Sequence, residues 1–175
     1  NSGQYAFAAR LAQQGVEMLD APVSGGAVGA ESGTLSIMVG GKESVLARVR
    51  PYLELMGKTI THIGEHGAGQ TCKVAHQIIV ALNVEAICEA LLFASKAGAD
   101  PVKVRQALMG GAANSRLLEL KGEWILSRNF KPGFRVKHQQ KDLNNALSAA
   151  RQLGISLPNT ATTQQLYNAL ISEGG

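Results

Sequence analysis

Residues 66–98 read HGAGQTCKVAHQIIVALNVEAICEALLFASKAG, and no helix breaker interrupts them between Gln70 and Gly98. At 1.5 Å per residue, a helix over 70–98 is roughly 40 Å long. Apolar side chains fall almost all round it: Val74, Ile78, Ile79, Leu82, Val84, Ile87, Leu91, Leu92 and Phe93. A helix apolar on every side has to be packed on every side. Its most apolar run, 78–94, still carries Asn83, Glu85 and Glu89. That composition predicts a buried helix of a globular protein, with no membrane span.

Downstream the pattern stays helical. Asp100 and Pro101 are an N-cap and first-turn pair for a further helix, which Gly110-Gly111 ends. Short helices are expected over 115–121 and near Trp124. A loop over 129–134 leads to a helix over 135–153, stopped by Gly154, and Pro158 opens a last one over 159–171. Nothing after Gly64 reads as a strand.

Upstream the character differs. A short helix over 5–13 ends at Gly15. Residues 16–23 (VEMLDAPV) form an apolar run stopped by Pro22 and Ser24-Gly25-Gly26, which predicts a buried strand. Residues 34–39 (TLSIMV) predict a second strand, and 59–63 a third. Between them, 43–56 carries Val45, Leu46, Val49, Leu53 and Met56 at helical spacing. Strands alternating with helices imply at least partly parallel pairing. The expected organisation is therefore an α/β piece over 1–65 and an all-α piece over 66–175 built on one long central helix. Three strands in 65 residues make half a sheet with an open edge. The α/β piece is expected to be the closing part of a larger sheet whose opening strands precede Asn1.

Composition narrows the functional classes. The chain has 175 residues and a net charge of +4, with the basic residues scattered, which gives no argument for nucleic acid. Charged residues are 17%, below the typical figure of about 25%, so part of the surface is expected to be covered by a second subunit or a further domain. Cys72 and Cys88 form no Cys-x-x-Cys and no zinc-ligand cluster; they read as reduced core thiols of a cytoplasmic protein, and no signal peptide is recognisable.

Three stretches could carry chemistry. In DAPVSGG (20–26), a strand breaking into Ser24, Gly25 and Gly26 exposes a hydroxyl and backbone N–H groups at a sheet edge, a nest for a carboxylate or phosphate. The same residues would also serve as a plain turn. In GAGQTCKVAHQ (67–77), Lys73, His76 and Gln77 share one face at the start of the long helix. Desolvation and a helix amino end both ease an ammonium's release of its proton, which suits acid–base work. The alternative is a lysine snorkelling to solvent beside a packing histidine. Gly67-Ala-Gly69 is not a dinucleotide fingerprint, since it lacks a third glycine and the downstream acid. The third stretch, KPGFRVKHQQKD (131–142), reads by itself as a solvated helix face. Glu85 and Glu89 have no His or Asp at matching spacing, so they predict a polar stripe or an interface and no metal.

Taken jointly, DAPVSGG, GAxxGTLxxMVGG, GxGQxxKxxxQ at the start of a long helix, KPGF and KDL resemble the β-hydroxyacid dehydrogenases over nearly the whole chain. The resemblance implies a Rossmann-type cofactor domain, of which 1–65 would be the closing part, followed by an all-α substrate and dimerisation domain. It implies Lys73 as the catalytic acid/base, Ser24, Gly25 and Gly26 as the carboxylate loop, and His76 and Gln77 on the substrate's hydroxyl side. It implies Lys141, with Phe134, against an NAD or NADP cofactor. The substrate would be a small 3-oxo or 3-hydroxy acid, and the assembly a homo-oligomer. Members of the family usually carry Asn at position 76, or His followed by Asn; here His76 is followed by Gln77. The family's glycine-rich fingerprint would lie before Asn1, and a final helix after Gly175. The competing reading is a non-catalytic helical association module without a cofactor domain.

Overall fold

The computed structural model describes residues 2–131 and 133–174, so Pro132 of the KPGF motif lies outside the described residues. They fall into two compact units, Asn1–His76 and Gln77–Gly175, and the division lies inside one helix.

The first unit contains α1 (Ser2–Ala12), β1 (Val23–Ser24), α2 (Gly26–Glu31), β2 (Leu35–Gly40), α3 (Glu43–Leu53) and β3 (Gly57–Gly64). It ends in the opening turns of α4 (Ala68–Lys96). The sheet order is β1-β2-β3. β2 and β3 pair in parallel, with Ile37 opposite Ile60 and Val39 opposite His62. The crossover between them is α3, as parallel pairing requires. Leu35, Ile37 and Val39 of β2 and Leu46 of α3 form the buried core, with Leu19, Ala21, Leu53 and Ile60 packed against it.

The strand expected over 16–23 is corrected. Only Val23–Ser24 pairs as a strand, and it runs antiparallel to β2. Before it, Asp20 makes an isolated bridge to Gly40, and Pro22 O accepts the Met38 N–H at 2.9 Å. Pro22 has no N–H to return, so the ladder is interrupted there.

The second unit is helical: the remainder of α4, α5 (Pro101–Met109), α6 (Arg116–Leu126), α7 (Val136–Leu153) and α8 (Pro158–Ser172). No strand occurs after Gly64 among the described residues. Asp100 caps α5 by accepting the Val102 N–H at 2.9 Å, and Gly154 ends α7 at φ 67°. Residues 116–126 form one helix rather than the two short pieces expected, because buried Gly122 is accommodated within it. Arg105 of α5 lies across that glycine: a Cβ at position 122 would come within 3.0 Å of Arg105 Cδ. Ile87, Leu91 and Leu118 form the core here; α7 packs along α8, and Leu143, Ala146 and Ala150 of α7 and Thr163 of α8 are buried.

α4 itself is less covered than its sequence predicts. Only 22% of its most apolar 18-residue window is buried within the chain, and Ile79, Leu92 and Phe93 are exposed. By length and composition it would be able to cross a membrane. The expected core placement of both thiols is also corrected: Cys72 is half-buried and Cys88 is exposed.

Candidate active site

The first turn of α4 has amide groups with no partner inside the helix, as every helix does. Asp20 supplies acceptors from 47 and 50 residues upstream. Its Oδ1 accepts the Gly67 N–H at 2.7 Å and its Oδ2 the Gln70 N–H at 2.9 Å. Its carboxylate is buried, and the positive end of the helix favours it there. Gly69 permits the approach, since a Cβ at that position would lie 2.8 Å from Asp20 O.

This pairing draws residues 20–26 against the start of α4. Lys73 Nζ donates to Val23 O at 2.8 Å, and His76 Nε2 shares a hydrogen bond of 2.8 Å with Ser24 Oγ. Lys73 and His76, three apart, project from one helix face. Ser24 is followed by Gly25 at φ 137° and Gly26 at φ 63°, values that an L side chain rarely adopts. A turn that needs two such residues presents its backbone without covering side chains. Ser24, Gly25, Gly26, Lys73 and His76 thus meet within the first unit: a hydroxyl, glycine amides, an ammonium and an imidazole.

The other expected site residues belong to the second unit. Gln77 is buried; its Nε2 donates to Asp142 Oδ2 at 2.7 Å and to Gln139 Oε1 at 3.2 Å. Gln139, also buried, donates back to the Gln77 carbonyl at 3.1 Å. Lys141 is exposed, and its Nζ stands 3.2 Å from Asp142 Oδ1. Phe134 is exposed, with its ring centroid 5.7 Å from that of His138. Glu85 accepts a hydrogen bond from Thr163, Glu89 is exposed, and no metal-holding cluster of His, Cys, Asp or Glu occurs among the described residues.

Three participants have no spacing signal that marks them: Asp20, Gln139 and Asp142. Asp20 and Asp142 stand inside the DAPVSGG and KDL motifs, but nothing in those motifs says what they hold.

Residues 67–175 match the family described as the NAD-binding domain of NADP-dependent 3-hydroxyisobutyrate dehydrogenase, and residues 2–64 match the NAD-binding domain of 6-phosphogluconate dehydrogenase. The chain belongs to the β-hydroxyacid dehydrogenase family. Among curated relatives in this family, the 2-hydroxy-3-oxopropionate reductase of Escherichia coli (strain K12) is 62% identical over 169 residues, covering 97% of this chain and 58% of that protein. Among solved structures, a Mycobacterium tuberculosis 3-hydroxyisobutyrate dehydrogenase with L-serine has a TM-score of 0.88 at 33% identity, covering 98% of this chain and 61% of that one. The enzyme of the same name from Salmonella typhimurium has a TM-score of 0.87 at 29% identity, covering 99% and 61%. The chain therefore spans somewhat over half the length of these β-hydroxyacid dehydrogenases. The cofactor class of the family is a nicotinamide dinucleotide, NAD or NADP.

Proposed function

We propose that the chain is the substrate-binding and catalytic part of an NAD(P)-dependent reductase. It would convert the aldehyde of a short 3-oxo acid, of the tartronate semialdehyde type, into the corresponding 3-hydroxy acid. One observation carries the reading: Lys73 and His76, on one face of α4, are tied to Val23 and Ser24 of the glycine loop. An acid aldehyde needs a group for its carboxylate and a proton donor for its carbonyl oxygen. This arrangement puts both types of group together. The 62% identity to a reductase of that substrate supports the choice of acid.

The sequence contains no G-x-G-x-x-G, so these residues fit one side of a dinucleotide only. Exposed Lys141, an ammonium suited to a phosphate or ribose oxygen, and the exposed ring of Phe134 would hold it. When bound, that cofactor supplies the hydride.

The chain's own residues do the rest. Ser24 and the Gly25 and Gly26 amides bind the carboxylate. In the tautomer that carries its proton on Nε2, His76 donates to Ser24 Oγ and leaves the serine hydroxyl proton for the substrate. The Val23 carbonyl fixes where the Lys73 ammonium points. Lys73 gives its proton to the carbonyl oxygen and regains one from solvent; in the oxidative direction it takes the proton as a base. Residues 1–65 act as the closing part of a Rossmann-type sheet, and 66–175 as the all-α domain. The exposed apolar side chains of α4 favour a homo-oligomer, in the cytoplasm.

The test is Lys73→Ala in the full-length protein. Turnover of tartronate semialdehyde should fall by about 10²–10⁴-fold while NAD(P)H affinity holds. Wild-type kcat in that variant would make Lys73 a surface lysine and end the proposal.

A further inference from the structure

Two buried glutamines are an odd pair to find between helices of a small domain. A buried amide without partners costs several kcal/mol, so each must be answered. Gln77 on α4 and Gln139 on α7 answer each other in both directions: Gln77 Nε2 donates to Gln139 Oε1 at 3.2 Å, and Gln139 Nε2 donates to Gln77 O at 3.1 Å. The amide orientations follow from a third partner. Asp142 as a carboxylate only accepts, so the group facing its Oδ2 at 2.7 Å must be the NH₂ of Gln77. Gln139 must then turn its oxygen to that NH₂ and its own NH₂ to the Gln77 carbonyl. Each assignment forces the next.

The other oxygen of Asp142 meets Lys141 Nζ at 3.2 Å. Neighbours one apart on a helix diverge and do not face each other. The pair therefore forms only where the carboxylate is held to one side, and the Gln77 amide holds it. Lys141 is otherwise an exposed side chain with four rotatable bonds.

We infer that Gln139 is a positioning residue: through Gln77 and Asp142 it orients the ammonium of Lys141 toward the cofactor. This rests on the reading of Lys141 as a cofactor contact. Gln139 itself touches neither substrate nor cofactor, and its effect passes entirely through the relay. Gln77 belongs to the same relay, which explains why an amide serves at that position.

The experiment is a double-mutant cycle in the full-length protein, read by NADH and NADPH fluorescence titration. Gln139→Met keeps the length and removes the amide; it should weaken cofactor binding by about 3- to 10-fold. At saturating cofactor its kcat should stay within about twofold of wild type. Lys141→Ala should weaken binding at least as much, and the double variant should bind as Lys141→Ala does. If the two losses multiply, or if Gln139→Met binds normally, Gln139 positions nothing. If Lys141→Ala alone binds normally, the cofactor contact itself is wrong, and the relay has no target. Where Gln139→Met does not fold, Gln139→Glu takes its place; it keeps the acceptor, loses the donor, and should give a smaller loss that again vanishes in Lys141→Ala. A readout without cofactor uses the 175-residue chain: side-chain amide exchange at Gln77 should quicken in the Gln139 variant, and unchanged exchange would also overturn the relay.

Discussion

Asp20 answers two amides with two oxygens, that of Gly67 just before α4 and that of Gln70 in its first turn, and the position of the loop follows from that. Asp20→Ala removes both bonds and leaves the Gly67 and Gln70 amides without that acceptor. Charged helix-capping bonds of this kind make the expected loss about 2–3 kcal/mol, read as a lowered urea midpoint. Asp20→Asn, which keeps one acceptor oxygen, should lose less. Equal stability of all three proteins would mean that water caps the helix as well as the carboxylate does. If Ser24 binds the substrate carboxylate as proposed, His76→Phe in the full-length protein should raise the substrate KM by about 10-fold, because Ser24 loses its hydrogen-bond partner; steady-state kinetics is the check. The two residues on α4 were visible beforehand because helical periodicity alone places Lys73 and His76 on one face. Their partners were not visible. Ser24 and Val23 lie about fifty residues away, and periodicity carries no information over that distance.

Elements were most legible where local rules act without competition. Asp100 with Pro101 at one end of α5, and Gly154 after α7, are decided by one or two residues. Residues 16–23 failed because apolar composition predicts burial, whereas a strand also needs a ladder, and Pro22 interrupts it. The pieces expected over 115–121 and near Trp124 join for the opposite reason: at Gly122 a neighbour from α5 occupies the space a side chain would take. Arg105 donates to Leu118 O at 3.2 Å and Glu119 O at 2.6 Å, and pairs with Glu123 at 2.9 Å. Arg105→Met should therefore destabilise the protein by about 1–3 kcal/mol in urea unfolding, since two carbonyls lose a largely buried donor. A second element-level effect concerns pH. Cys88 is exposed as a residue, but partial burial of its thiol raises that group above its ordinary 9.0, and burial, with the nearby Cys88 and Glu85, raises the Tyr167 phenol above its ordinary 10.0. Both groups stay protonated to higher pH in the folded protein than in the unfolded chain. The stability these two groups contribute is complete below about pH 9 and is lost as pH rises through the raised values. Tyr167→Phe should flatten that decline in urea midpoints taken from pH 8 to 11; an unaltered slope would assign the decline elsewhere.

At the scale of the molecule, α4 decides two things. Ile79, Leu92 and Phe93 stand 62%, 59% and 75% exposed. Covering each stabilises an assembly by about 1–2 kcal/mol. These 175 residues leave them open, so the sequence's demand for packing on every side is not met within them; a second copy is the proposed cover. Sedimentation should find at least a dimer at micromolar concentration, and Phe93→Glu should shift it toward monomer; a wild-type monomer would refute this. The other consequence concerns the cofactor. A dinucleotide owes most of its affinity to a glycine-rich turn and a helix amino end around its pyrophosphate. These 175 residues contain no G-x-G-x-x-G, and the amino end of α4 is already answered by Asp20. On the proposed reading, what they offer is Lys141, shared with Asp142, and the ring of Phe134. One charged and one stacking contact contribute about 2–4 kcal/mol. Association entropy consumes at least that much, which leaves a dissociation constant on the order of millimolar or weaker. Titration calorimetry of the 175-residue chain with NADH and NADPH should therefore register no saturable heat at micromolar ligand, and the chain alone should not reduce tartronate semialdehyde. A micromolar constant for either nucleotide would mean that the pyrophosphate is held by a cradle other than a glycine fingerprint.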